Sequence, residues 1–239
     1  MRIAIVSDIH GNLTALEAVL ADLRQNSPDL ILHGGDLAHG GSSPLEIVDR
    51  IRGLGWQGVL GNTDEMLFRP ESLTEFAQQS PKLQGLFAAI EEMAVVTREA
   101  LGEERLAWLR SLPRVQVHGP IALVHASPES LWRAPAPEAT DAELETAYAA
   151  LGRPVVVYGH IHRSYVRRFS EMTIANSGSV SLSYDGDRRA SYLVLDDSIP
   201  TVRRVNYDVD KEVQAIFACG LPHADWVAKI LQSASPQMP

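Results

Sequence analysis

Three short apolar runs near the start of the chain end alike, and that repetition limits the fold more than any other feature. Ile3–Val6 runs into Ser7-Asp8-Ile9-His10-Gly11, Asp29–His33 into Gly34-Gly35-Asp36, and Val59-Leu60 into Gly61-Asn62-Thr63-Asp64. Between the first two runs, Leu13, Leu16, Val19, Leu20 and Leu23 recur at helical spacing. They predict an amphipathic helix over Leu13–Gln25 with Asn12 as its cap. A second helix opens at Pro44 and ends near Gly53 and Gly55. Strand and helix alternating in this way build a parallel sheet, because the crossover connections are right-handed. Ligands of open α/β sheets bind beyond the carboxyl ends of the strands, so Asp8, His10, Asp36 and Asn62 fall where chemistry is expected. Asp8 and His10 would project to one side of an extended backbone and could share a ligand.

Downstream, Pro70–Leu112 reads as mainly helical, with Leu101, Leu106, Trp108 and Leu109 for packing and Pro113 as its stop. Val115–His118 and Ile121–His125 read as an antiparallel pair turning at Gly119-Pro120. A helix is expected over Asp141–Leu151. Pro154–Tyr158 is a further buried strand, and it leads into Gly159-His160-Ile161-His162. Strands are expected at Met172–Ala175, Ser191–Leu195 and Val202–Val205, then helices over Asp210–Ala218 and Pro222–Leu231. An α/β first half followed by a strand-rich second half suggests two packed sheets with helices outside. The length of 239 residues suits a single domain over 1–239.

The strand-end residues are Asp8, His10, Asp36, Asn62, His125, His160 and His162. Four imidazoles, two carboxylates and an amide oxygen suit Mn²⁺, Fe²⁺, Zn²⁺ or Ni²⁺. Seven donors exceed one tetrahedral shell and suit two ions sharing a carboxylate. With 21 basic and 30 acidic residues the net charge is −9, which repels a long nucleic acid and leaves a small phosphorylated substrate compatible. One cysteine, Cys219, excludes an internal disulfide, fits a reducing cytoplasm and reads as a small buried residue on a helix. The first apolar run is interrupted at Asp8 and no segment approaches membrane-spanning length, so a cytoplasmic protein without membrane contact is expected. A homodimer is expected on base rates alone.

Among the remaining candidates, His33 reads as a hydrogen-bonded core residue, His118 as a hairpin end and His223 as a helix start. Arg188 and Arg189 could hold a phosphate but sit in a turn that favours solvation. Asn176 and Ser179 read as shaping a pocket. Trp56, Trp108 and Trp226 read as packing residues, and Trp132, in the loop after His125, could border a substrate base.

Asp8-x-His10, Gly35-Asp36, Gly61-Asn62, His125 after its strand and Gly159-His160-x-His162 occur in the order of five motifs that they resemble. Those are the motifs of the calcineurin-like metallophosphoesterase superfamily. Gly61-Asn-Thr-Asp64, the stretch through His125-Ala-Ser-Pro128 and Asn176-Ser-Gly-Ser-Val180 resemble its small bacterial and archaeal phosphodiesterase branch. The resemblance implies a four-layer α/β/β/α sandwich of two mixed sheets. It implies one metal on Asp8, His10, Asp36 and His162, and a second on Asp36, Asn62, His125 and His160. It further implies a dinuclear metal-dependent phosphodiesterase of small substrates, with a metal-bridging hydroxide as nucleophile and Mn²⁺ as the expected ion. Asp36, Asn62 and His125 would serve catalysis, and Asn62 and His39 would contact substrate. The alternatives are a phosphomonoesterase or protein phosphatase, and a binding scaffold without turnover. One departure bears on mechanism: many members carry a histidine after the Gly-Asn pair as proton donor, and here that residue is Thr63. His39 is the nearest substitute in sequence, and Asp64 is expected to orient a ligand without binding metal.

Overall fold

The computed structural model describes residues 1–169 and 171–239. The opening repeat comprises β1 (Arg2–Val6), α1 (Leu13–Asn26), β2 (Leu30–His33), α2 (Pro44–Gly53) and β3 (Gln57–Gly58). Next come α3 (Asn62–Phe68), α4 (Glu71–Ala77) and the long α5 (Gln84–Arg110), which is interrupted at Gly102. β4 (Val115–His118), β5 (Ile121–Val124), α6 (Asp141–Tyr148), β6 (Val155–Tyr158), β7 (Tyr165–Phe169) and β8 (Met172–Asn176) follow. β9 (Ala190–Asp196), β10 (Ile199–Val205), α7 (Val209–Ala218) and α8 (Ala224–Ser233) complete the described elements.

Two five-stranded mixed sheets result, in the orders β10-β9-β1-β2-β3 and β4-β5-β6-β8-β7. β1, β2 and β3 run parallel, with Ile3 opposite Leu30 and Leu32 opposite Gln57. β5, β6 and β8 are parallel in the second sheet, flanked by antiparallel β4 and β7. The period of two along each strand sorts its side chains. Ile3 and Ile5, Ile121 and Leu123, Val155 and Val157, and Leu193 and Leu195 meet between the sheets. Ala4 and Val6 face the opposite way, toward Leu16 and Val19 of α1 and Ile47 and Ile51 of α2. Val124, Val156 and Tyr158 pack on Leu144 and Tyr148 of α6. The layers are therefore helix, sheet, sheet and helix, as expected. No described helix is long and apolar enough to cross a membrane.

Several local expectations change. The third strand pairs at Gln57–Gly58, because after Val59 donates to the His33 carbonyl at 3.1 Å, Leu60 turns its N–H to Pro113 at 2.8 Å. Asn62 opens a helix directly after the strand end, with Asp64 accepting from the Gly61 N–H at 3.2 Å. β7, an edge strand carrying two arginines, was not anticipated. Cys219 follows the last turn of α7 and is exposed, contrary to expectation, because its side chain falls outside the buried stripe of Val213 and Ile216. His33 is buried as expected, but neither ring nitrogen has a hydrogen-bond partner among the described residues. Its ring lies against Trp108 and beside the backbone of Gly58.

Candidate metal centre

Both sheets deliver their strand ends to one place. Asp8 and His10 follow β1, Asp36 follows β2 and Asn62 begins α3 just after β3; His125 follows β5, and His160 and His162 follow β6. One ligand atom from each of Asp8, His10, Asp36 and His162 lies within 4.8 Å of the others, and all four residues are buried. Beside them, Asn62 Oδ1 is 2.8 Å from His125 Nε2 and 2.9 Å from His160 Nδ1. Asp36 touches both groups, with Oδ2 3.7 Å from His10 Nε2 and Oδ1 3.5 Å from His125 Nε2. The fold thus gathers all seven strand-end donors.

The backbone reason for this convergence differs from the extended geometry expected. Asp8, His10, Asp36, His160 and His162 all have left-handed φ, between 48° and 67°. Such conformations cost about 1–2 kcal/mol for each non-glycine residue. Neighbouring loops hold them: Asp8 N–H donates to Gly35 O and His10 N–H to Asp36 O, both at 3.0 Å. Ser179 Oγ donates to the Asp8 carbonyl at 2.7 Å, and Asn176 Nδ2 to the Gly159 carbonyl at 2.6 Å. Asn176 and Ser179 therefore set the loops from which the ligands project. A Cβ on Gly61 would lie 2.1 Å from Asp36 Oδ1, and one on Gly159 2.4 Å from Asp8 Oδ2, so both positions require glycine.

The hydrogen bonds define which nitrogens are free. His10 Nδ1 faces the His39 carbonyl at 2.8 Å, His125 Nδ1 the Gly34 carbonyl at 2.8 Å, and His162 Nδ1 the Leu182 carbonyl at 2.6 Å. A carbonyl only accepts, so each Nδ1 carries a proton, and each Nε2 is left pointing inward, the nitrogen whose lone pair a metal would take. His10 Nε2 and His162 Nε2 face each other at 3.1 Å, and with both rings neutral two lone pairs would be opposed. His125 Nε2 likewise faces the Asn62 carbonyl oxygen. Lone pairs opposed in a buried space beside two carboxylates repel unless a cation lies among them, so the donor set fits divalent metal.

Charge within the cluster follows from burial and mutual fields. Burial opposes ionisation of Asp8, but His162, His125 and His10 outweigh it and hold the carboxyl below its ordinary range. Asp36 behaves similarly, with His125 and His10 overcoming burial. Burial and the neighbouring His125 lower His160 to about 4. His125 goes the other way, because Asp36 and Asp8 override its burial and raise its pKa. Asp64, behind the ligands, is pushed up to about 7 by burial and by Asp36. It accepts from the N–H groups of Asp36 at 2.8 Å, Leu37 at 2.9 Å and Gly61 at 3.2 Å, joining two ligand loops.

His39 lines the cavity at the centre, where its Nε2 is 3.2 Å from the Ile90 carbonyl. Burial, then the nearby His10, lowers its pKa to about 4, so the ring is neutral at pH 7 with its proton directed at Ile90. Arg188 and Arg189 lie elsewhere, on an open groove with Asp208 and Asp210. Trp132 donates to Glu65 Oε2 at 3.1 Å and stacks on Phe76 away from the cavity. The tryptophan at the cavity is instead Trp226 of α8, joined by Met93 of α5, Leu182 and Tyr184. No motif marks these residues. The helical spacing of apolar residues in α5 and α8 showed that they pack, without showing against what.

Comparison with known proteins agrees with this geometry. The family model for the calcineurin-like phosphoesterase superfamily domain matches residues 1–198. A protein of Methanocaldococcus jannaschii, MJ0912, is 29% identical, with 96% of each chain covered. The symmetrical bis(5'-nucleosyl)-tetraphosphatase of Methylococcus capsulatus is 31% identical over 63% of this chain, which spans 51% of that protein. The phosphodiesterase YfcE of Escherichia coli is 28% identical, with 86% of this chain and 93% of YfcE covered. The crystal structure of a metallophosphoesterase from Sphaerobacter thermophilus is 29% identical and superposes with a TM-score of 0.80 over 98% of this chain and 99% of that one. Motif order, sandwich architecture and a family match across most of its length together place this chain in the calcineurin-like phosphoesterase superfamily.

Proposed function

We propose that the chain hydrolyses phosphodiester bonds of small substrates with two divalent ions. Asp8, His10, Asp36 and His162 would hold one, and Asp36, Asn62, His125 and His160 the other. Mn²⁺ is the first choice, with Fe²⁺, Ni²⁺ and Zn²⁺ compatible with the same nitrogen and oxygen donors. The observation that carries this reading is the convergence of seven donor residues, three of whose imidazoles, His10, His125 and His162, turn Nδ1 outward to backbone carbonyls and Nε2 inward. When bound, such ions supply Lewis acidity and lower the pKa of water, the needs of in-line displacement at phosphorus.

The chain's own residues orient and shield. Asp36 is steadied by the Thr63 N–H, 2.9 Å from Oδ1, and the Gly34 carbonyl fixes the ring of His125. Thr63 lines the cavity, and its hydroxyl is buried without a hydrogen-bond partner among the described residues. It is free to donate to a phosphoryl oxygen. A threonine hydroxyl does not release a proton at neutral pH, so the leaving oxygen departs without a general acid from this position. That favours diesters and activated leaving groups, and similarity to the phosphodiesterase YfcE supports the same choice.

The test is hydrolysis of bis-p-nitrophenyl phosphate and p-nitrophenyl phosphate by metal-stripped protein with Mn²⁺ restored, beside an Asp36→Asn control. Metal-dependent cleavage favouring the diester, and lost in the control, is the expected result. Preference for the monoester would make the chain a phosphatase. Two bound ions without turnover of either ester, with Fe²⁺, Ni²⁺ and Zn²⁺ also tried, would make it a binding scaffold.

A further inference from the structure

The cavity over the metal centre has two unlike walls. One is formed by His10, Asp36, Asn62, His160 and His162, with Thr63 at its edge. The facing wall is apolar: Ile90 and Met93 of α5 and Trp226, Val227 and Ile230 of α8. None of the described residues lining the cavity is lysine or arginine. Its volume is about 160 Å³. Sites for drug-sized ligands begin near ~300 Å³, so the enclosed part of this space takes one small group beside the phosphorus.

Charge leads to the same substrate. Asp8 and Asp36 cancel half the charge of two divalent ions, and a singly charged diester together with the nucleophile cancels the remainder. A tetraphosphate bridge brings further negative charges, and this cavity has no cationic side chain to meet them. The chain itself carries −9. Polyanions held without paired cations in a low-dielectric space are strongly disfavoured.

We infer that the substrate is a singly charged phosphodiester with one apolar arm, no larger than a single ring, seated against Met93, Trp226 and Ile90. Dinucleoside polyphosphates are then poor ligands, although relatives named for that activity share part of the sequence. This inference rests on the phosphodiesterase reading of the same site and adds which diesters it takes. The Trp226 indole is fixed in place, its Nε1 donating to the Gln237 carbonyl at 2.8 Å, so its face is a preformed surface. Ile90 is only partly buried, at the margin of the core, which makes it a position where the wall can be changed with less disturbance than at the buried Trp226.

Calorimetric titration of the Mn²⁺-loaded full chain with dimethyl phosphate, diphenyl phosphate and diadenosine tetraphosphate tests this without relying on turnover. Diphenyl phosphate is expected to bind about tenfold to a hundredfold more tightly than dimethyl phosphate, the gain from burying one ring. Trp226→Ala should remove most of that preference. Because Trp226 is also a core residue, Ile90→Lys is the second variant: it should weaken diphenyl phosphate and strengthen diadenosine tetraphosphate. Equal or absent binding of the two diesters overturns the inference, as does tetraphosphate binding to the unaltered chain as tight as that of diphenyl phosphate. Hydrolysis of bis-p-nitrophenyl phosphate is measured in parallel. Turnover without the ring preference overturns this inference alone. Ring preference without turnover keeps the pocket assignment and removes the phosphodiesterase reading.

Discussion

Both ring nitrogens of His33 are buried without a partner among the described residues, and burial lowers its pKa to about 3. The unfolded chain therefore takes up a proton that the folded chain refuses at any pH between about 3 and the ordinary histidine value near 6.5. Stability falls as pH drops through that window, by about 2 kcal/mol at pH 5 from this residue alone. Replacing His33 with Leu should flatten the loss between pH 7 and 5 in urea unfolding. It should also leave stability at pH 7 equal or higher, because an unpaired buried N–H is removed. A steeper acid loss in the variant would contradict the assignment. Thr63 is a contrasting case, a buried hydroxyl that the proposed function would pair with a phosphoryl oxygen. Thr63→Val keeps its shape and should lower kcat for bis-p-nitrophenyl phosphate about threefold to tenfold, the worth of one neutral hydrogen bond. Unchanged kcat would deny Thr63 any contact with the phosphoryl group.

Individual loops join into one element at Asp64, whose carboxylate binds the start of the Asp36 turn to the start of α3. Asp64→Ala leaves three N–H groups in a buried space with no acceptor and should cost about 3–5 kcal/mol. Asp64→Asn retains one acceptor oxygen and should lie between, as denaturant midpoints would show; equal midpoints for all three proteins would mean that the loops do not depend on Asp64. At this scale the sequence was a good guide wherever residue type and spacing act locally. Asn12 does cap α1 through Oδ1, 2.8 Å from the Ala15 N–H, and the Gly119-Pro120 hairpin stands where expected. Long-range geometry was not legible. Strand β3 is displaced because Pro113, distant in sequence, draws away the Leu60 N–H. The left-handed turns at Asp8 and His10 reverse the extended-strand argument while still bringing both side chains together. Trp226 gives no sign in sequence that α8 reaches a centre built from β1, β2, β5 and β6. Its role depends on how α5 and α8 pack over Leu182.

Across the whole molecule, the two sheets are held by an apolar layer that has no part in the chemistry, while their common edge collects strained turns and opposed lone pairs. The metal-free chain is therefore stable in its interior and frustrated at its rim. A divalent ion relieves the rim only in the folded state, since no unfolded chain gathers Asp8, His10, Asp36 and His162. Free Mn²⁺ at a hundred times its dissociation constant should add about 2.7 kcal/mol per site. For a chain of this size that raises Tm by roughly 5–10 °C. Protons compete for the same lone pairs, and His125 is the first competitor because Asp36 and Asp8, outweighing its burial, raise its pKa. Mn²⁺ affinity should therefore weaken as pH falls below that raised value, approaching tenfold per unit where one proton is displaced per ion. Asp36→Asn should lose most of the Tm increase, because Asp36 is the carboxylate in reach of both donor groups. Scanning calorimetry of both proteins at pH 6 and pH 8, with and without Mn²⁺, separates these effects. A Tm increase that survives Asp36→Asn, or one that does not shrink at pH 6, would mean that the ion binds somewhere other than this edge.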